Sequence, residues 1–290
     1  MKTPFFSVIV ATFNADKTLE KAISSVLSQR FSDFELLVID GQSTDNTLNI
    51  VRRFAAADKR IKFLSEADKG IYDAMNKGVR RATGQWLYFL GGDDFFYSDD
   101  VLEKIQLIAK QTNASFIYGN VWSEQYERLY DGMFTTSRLL TRNICHQAIF
   151  YNSNVFSQLG YYDLAYKQEA DYDFNLRCWL NGIKTIFTPV TIAFYAAGGL
   201  SGKGRDVAFV NDYPSVAVSY LLNGNKKGIS RAANLATIFR KILLRYSFSK
   251  LKTVVFSGGH NAIKAIAFFY MLLSLPFVFF YSILRKKSIA

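Results

Sequence analysis

Cysteine is scarce in this chain: Cys145 and Cys178 are the whole complement of 290 residues. Neither belongs to a CxxC or a mixed Cys/His spacing, which excludes a cysteine-based metal motif. Both read as small buried hydrophobes in a reducing compartment. A secretory signal is also lacking, because strand-like sequence begins at Phe6 with no apolar segment and cleavage site before it; the catalytic part is therefore expected in the cytoplasm. There is no internal repeat and no low-complexity tract. No known nucleic-acid-binding motif accompanies the formal charge of +11, so nucleic acid is not an expected partner.

A basic surface attracts nucleic acid, anionic lipid and phosphorylated substrates through the same long-range field, so position has to choose among them. Much of the excess falls between Lys203 and Lys287, beside apolar runs, which suits lipid headgroups. Apolar residues make up 50% of the chain and aromatics 16%. That is rich for an ordinary soluble domain.

Strand and helix periodicities alternate from the start. Ser7–Thr12, Glu35–Ile39, Ile61–Ser65 and Trp86–Leu90 read as short buried strands. Lys17–Gln29, Thr47–Ala57 and Gly70–Ala82 carry helical apolar spacing between them, the last closed by Thr83-Gly84. A helix over Val101–Gln111, a strand over Phe116–Val121, helices over Phe156–Gly160 and Asp173–Asn181 and a strand over Thr185–Ile192 follow. This order predicts an α/β fold with a mostly parallel central sheet flanked by helices. Ligands then bind at the carboxyl ends of the strands, where the polar clusters lie. Gly198–Arg205 reads as a loop.

The strongest local signal is Gly91-Gly92-Asp93-Asp94 directly after an apolar strand. Adjacent carboxylates at a strand end repel one another unless a cation sits with them. Hard oxygen ligands suit Mg²⁺ or Mn²⁺ bridging to a diphosphate.

In order along the chain, SVIVATFN, ELLVIDGQSTDNT, SEADKGIYDAMNKGVRRATGQWLYFLGGDD and EADYDFNLR resemble glycosyltransferase family 2, whose members have the GT-A nucleotide-sugar-binding fold. The resemblance implies an inverting, metal-dependent transferase of the hexosyl or N-acetylhexosaminyl type. Its donor would be a nucleotide sugar, with UDP preferred, and its acceptor a saccharide or polyprenyl-linked saccharide in polysaccharide biosynthesis. Carried over by position, Thr12 and Asn14 line the nucleotide pocket, Asp40 accepts a hydrogen bond from the base, and Asp68 lies on the nucleotide side. Asp93 closes the DxD element as first metal ligand, with Asp94 beside it, and Asp171 is the general base. His146 and Gln147 resemble an acceptor-side His-Gln pair. Tyr72, Trp86, Trp122 and Trp179 read as core or pocket wall, and Trp122 is also an aromatic platform candidate for the acceptor.

Two positions depart from the family pattern. The first acid of DxD is Gly91, and the arginine that many relatives carry after the third strand is Met75, with Lys69 or Lys77 available as the replacement cation. As a rival to Asp171 as base, that residue would cap a helix beginning near Asp173, although Asp173 is the better cap. The expected division is a catalytic domain over 1–205, nucleotide-binding to about 100 and acceptor-binding from about 101, then a helical membrane-associating region over 206–290. There, Leu235, Ile238, Phe239, Ile242, Leu243 and Tyr246 form one helical stripe, as in an interfacial helix. Ala265–Leu284 is uncharged over a bilayer-spanning length and is closed by Arg285-Lys286-Lys287, with Pro276 inside it. The expected setting is the cytoplasmic face of a bacterial inner membrane, against an anionic surface. Alternatives are a catalytically silent nucleotide-sugar-binding protein and a sugar-phosphate nucleotidyltransferase. The latter's glycine-rich basic loop is missing from TFNADKT.

Overall fold

The computed structural model describes residues 3–130, 132–197, 206–223 and 234–239. β1 (Phe6–Thr12) runs parallel to β2 (Phe34–Asp40) on one side and β4 (Trp86–Gly91) on the other, and β3 (Ile61–Ser65) adds parallel to β2. Every residue of β1, β2 and β4 is buried. Strands covered on both faces have no polar side to alternate, which is why they read as unbroken apolar runs. Helices α1 (Leu19–Leu27), α2 (Thr47–Ala57) and α3 (Ile71–Arg81) return the chain between them. Gly84 does not cap α3, because Ala82 is already extended; instead the Gly84 N–H donates to Ser7 Oγ on β1 at 2.8 Å.

Beyond β4 come β5 (Phe95–Phe96), α4 (Val101–Gln111), β6 (Phe116–Ser123), β7 (Arg128–Tyr130) and α5 (Thr136–Leu139). A 3-10 turn (His146–Ala148), β8 (Ile149–Asn152), α6 (Asn154–Leu159), α7 (Ala170–Leu180), β9 (Thr185–Tyr195) and α8 (Val207–Asn223) complete the described elements. The sheet order is β3-β2-β1-β4-β8-β6-β9-β5, with β7 pairing β6. The expected mostly parallel sheet is thus mixed: β8 is antiparallel to both β4 and β6, and β5 and β7 also pair antiparallel. β8 is four residues long, too short to show a period. Its place is set by its two neighbours, and it delivers the turn before it, His146–Ala148, to the middle of the sheet.

One buried acid braces the parallel half. Glu35 on β2 accepts from Ser7 Oγ (2.7 Å), Thr83 N (2.7 Å), Thr83 Oγ1 (2.9 Å) and Lys62 Nζ (2.8 Å). Burial raises its pKa, but Lys62, Ser7 and Thr83 together hold it below the usual glutamate value. A depressed acid stabilises the fold fully above its ordinary pKa and loses that contribution as pH falls through the folded value. Glu35→Ala is expected to cost about 2–3 kcal/mol near neutrality, because the Ser7 and Thr83 donors lose their acceptor. Urea unfolding of both proteins should show the difference narrowing below about pH 4.

The described chain divides into two compact units. The first holds Met1–Phe134, Ile144–Trp179 and Ile183–Phe209; the second gathers Thr135–Asn143, Leu180–Gly182 and the described residues from Val210 onward. Within the second, the Tyr213 hydroxyl donates to the Leu140 carbonyl, and the Ser137 and Thr237 hydroxyls lie 3.4 Å apart. Of the expected interfacial stripe, Leu235, Ile238 and Phe239 are buried in the protein, so these side chains need no lipid to cover them. Ile242, Leu243 and Tyr246, the 198–205 loop and Ala265–Leu284 lie outside the described residues. Among the described residues no helix is long and apolar enough to cross a membrane.

Candidate active site

The register lines up Thr12, Asp40 and Ser65 at the carboxyl ends of β1, β2 and β3. Asp40, expected to meet the base, is fully buried. Its carboxylate accepts from Ser43 N (3.1 Å), Ser43 Oγ (2.5 Å) and Ser65 Oγ (2.7 Å). It therefore organises the loop after β2. That loop in turn braces the one after β1: Ala15 N donates to Thr47 Oγ1 at 2.8 Å, and Asp16 N to Asp45 Oδ2 at 3.1 Å. Asn14 adopts a left-handed backbone (φ 48°), donates its N–H to Ser43 Oγ and accepts at Oδ1 from Thr44 N. Thr12 is buried, and its hydroxyl is one of few buried polar atoms without a hydrogen-bond partner. A hydroxyl left unsatisfied at a strand end is what a ligand contact would complete.

Asp68 occupies the space that Asp40 does not reach. Its Oδ2 lies 2.5 Å from where a Cβ on Gly41 would stand, and the Phe13 ring is 3.4 Å from the same point. Phe13 is 61% exposed, an aromatic left bare beside a carboxylate. Periodicity gave no reason to select it; its signal was a large apolar side chain inside a polar turn. Of the two candidate cations, Lys77 is engaged: Nζ donates to the Ala67 carbonyl at 2.7 Å and lies 3.1 Å from Glu66. Lys69 is exposed, next to Asp68, and Lys167 Nζ reaches its carbonyl at 3.3 Å. Met75 is buried in the core.

A chain of contacts runs from the end of β4 to α7. Asp93 is exposed, whereas Asp94 is 2% exposed. Asp94 accepts from Gln147 Nε2 at 2.6 Å and from Ala196 N at 2.9 Å. Burial, then the charge of Asp93, pushes its pKa up to about 6 against these hydrogen bonds. Asp94, expected as a second metal ligand, braces the end of β4, each of its oxygens accepting one hydrogen bond. Gln147, expected on the acceptor side, is its partner and is itself buried, accepting from Cys145 Sγ. The neighbouring His146 points Nδ1 at Asp171 Oδ2, 3.7 Å away, while its buried Nε2 has no hydrogen-bond partner.

Asp171 is 6% exposed in the first turn of α7. Its Oδ1 accepts from Tyr72 OH at 2.8 Å and from Tyr172 N at 2.9 Å. The helix begins ahead of it, so neither Asp171 nor Asp173 serves as the expected cap. Asp173 pairs with Arg177 at 2.9 Å, one turn on. Trp122 stands apart from this chain of contacts. It is in register with Leu129 and Phe194, and Phe194 stacks on Phe95 under the Lys21 ammonium.

Gly91 has a physical reason to be glycine. A Cβ there would stand 2.6 Å from Asp94 Oδ2 and 2.7 Å from Asp93 Oδ1. Asp93 can swing away, but Asp94 is held by Gln147 and Ala196. Gly91→Ala is therefore expected to destabilise by about 1–3 kcal/mol, read as a lower thermal midpoint. An unchanged midpoint would show that Asp94 is not held as described.

Among the described residues no cluster of three or more His, Cys, Asp or Glu could hold a metal ion. What fits the donor set is a cation shared between one exposed carboxylate, Asp93, and ligand phosphate oxygens, the way Mg²⁺ commonly sits in phosphoryl sites.

The comparisons with known proteins agree with this geometry. The Glycosyl transferase family 2 profile matches residues 7–162. A PGL/p-HBAD biosynthesis glycosyltransferase of Mycobacterium tuberculosis is 39% identical over 249 residues, covering 82% of this chain and 97% of the relative. The Escherichia coli UDP-Glc:alpha-D-GlcNAc-diphosphoundecaprenol beta-1,3-glucosyltransferase WfgD is 35% identical over 147 residues, 50% of this chain and 53% of the relative. In fold, the chain is similar to S. aureus TarS 1-349 in complex with UDP, with a TM-score of 0.69 at 18% identity, covering 88% of this chain and 76% of that one. With a GT-A-type sheet, carboxylates at its strand ends and more than half its length matched by the profile, the chain belongs to glycosyltransferase family 2.

Proposed function

We propose that the protein is an inverting, metal-dependent glycosyltransferase that moves a hexosyl or N-acetylhexosaminyl group from a UDP-sugar to a saccharide or polyprenyl-linked acceptor. The observation that carries this reading is the pairing of an exposed Asp93 at the end of β4 with Asp171 on α7, tied together through Asp94, Gln147 and His146. Asp93 would hold Mn²⁺ or Mg²⁺ together with the donor diphosphate, and the cation would supply charge neutralisation of the leaving group. Asp68, in place of Asp40, faces the base beside Phe13, the Thr12 hydroxyl completes a contact to the nucleotide, and Lys69 supplies the cation that Met75 does not. Asp171 takes the acceptor hydroxyl proton as the acceptor oxygen attacks the anomeric carbon. A single base acting on a direct displacement inverts that carbon. The printed name of the E. coli relative, with its UDP-glucose donor and diphosphoundecaprenol acceptor, supports the donor and acceptor classes. The basic, aromatic residues after 205 support a membrane-facing catalytic domain.

The test is a panel of UDP- and GDP-sugars assayed for release of nucleoside diphosphate, with polyprenyl-diphosphate saccharides as acceptors. Release from a UDP-sugar, stimulated by Mn²⁺ or Mg²⁺ and abolished by EDTA, is the expected result. Nucleotide binding without turnover of any donor would make the protein a silent binder.

A further inference from the structure

Resting on the reading of Asp171 as base, we propose that Tyr72 is its positioning residue. The Tyr72 ring is buried in α3 against Tyr162, ring centroids 5.5 Å apart. Its hydroxyl lies 2.8 Å from Asp171 Oδ1 and 2.8 Å from the Gln168 carbonyl. A phenol has one proton, and both of these neighbours are acceptors. The proton is therefore shared between them, and the ionised carboxylate, as the stronger acceptor, draws the larger part.

Oδ1 also accepts from Tyr172 N. Two donors thus fix the orientation of the carboxylate, whose Oδ2 lies on the side of His146. During transfer the acceptor O–H bond breaks toward the Asp171 carboxylate. The freed electron pair forms the new C–O bond at the anomeric carbon, and the old glycosidic electron pair leaves on the diphosphate. Asp171 ends protonated, and Tyr72 still donates to its carboxyl group.

A second contact shows that α3 is built for this task. Asn76, one turn after Tyr72 and on the same helix face, exchanges two hydrogen bonds with the backbone of Tyr162, at 2.9 and 3.0 Å. Tyr72 and Asn76 thus clamp the segment leading into α7 at both ends. The recognised stretch GIYDAMNKG has its role here, away from the nucleotide.

Tyr72→Phe keeps the ring and removes only the hydroxyl. The expected result is a kcat lowered about 10-fold or more, with UDP affinity and donor KM unchanged. The carboxylate's ionised form loses a donor, so the acid limb of the kcat profile moves to higher pH. Among the described residues, His146 from the 3-10 turn, Tyr151 from β8 and Tyr162 from the segment before α7 are titratable groups that face Asp171, and all three remain in the variant. Replacing Tyr72 with 3-fluorotyrosine, a more acidic phenol and a stronger donor, should move the limb the opposite way. This second variant reports even if Tyr72→Phe folds poorly.

Wild-type kcat and an unmoved pH profile in either folded variant would overturn the proposal, as would a rise in donor KM with kcat intact. Asp171→Asn separates the two readings. An active Asp171→Asn sinks the assignment of the base itself, whereas an inactive Asp171→Asn beside an unaffected Tyr72→Phe sinks only the role of Tyr72.

Discussion

Asp171→Asn is expected to lower kcat by about 10²–10⁴-fold, the usual contribution of a positioned general base, while UDP affinity stays at the wild-type level. The amide is close to the carboxylate in size and its carbonyl can still accept from Tyr72 OH and Tyr172 N, which hold Oδ1 now. What it cannot do is take a proton at neutral pH. Because Asp171 is buried and is connected to the end of β4 by way of His146, Gln147 and Asp94, the loss should fall on kcat and spare nucleotide binding. Steady-state kinetics with titration of UDP would separate these. A variant that retained more than about a tenth of wild-type kcat would require a different proton acceptor, and His146, 3.7 Å away, would be the first to examine.

Asp93→Ala is expected to abolish the stimulation of transfer by Mn²⁺ or Mg²⁺ and to cut kcat/KM for the donor by about 10²-fold or more, the scale seen when a charge-stabilising group is lost from a transition state. Its carboxylate is the exposed one of the Asp93–Asp94 pair. The same substitution removes the charge that raises the Asp94 pKa, so the fold should not suffer; thermal unfolding is the control. Undiminished metal-stimulated turnover in Asp93→Ala would take the cation away from the end of β4.

The parallel half of the sheet was readable from local pattern. β1, β2 and β4 are covered on both faces and so are written as continuous apolar runs. Helices α2 and α4 fall at the expected residues because their apolar spacing is regular and their ends are polar. β8 was not readable, since four residues carry no period and its antiparallel partners lie more than 25 positions away in sequence. The α7 start was misplaced for a related reason: Asp171 in its first turn is held by Tyr72 on α3, 99 residues earlier.

For the site, the motifs located the acids but not their duties. Asp40, Asp68, Asp93, Asp94 and Asp171 all stand where strand ends and a later helix bring acids toward one edge of the sheet, and turn chemistry and strand period are short-range properties that a linear sequence carries. Which of these acids remains open to a ligand is a different kind of fact. Asp40 is closed by Ser65, 25 residues on, and Asp94 by Gln147 and Ala196, 53 and 102 residues on. A carboxylate's exposure depends on which donors stand within about 3 Å of it, and those donors come from whichever segments the folded chain lays beside it.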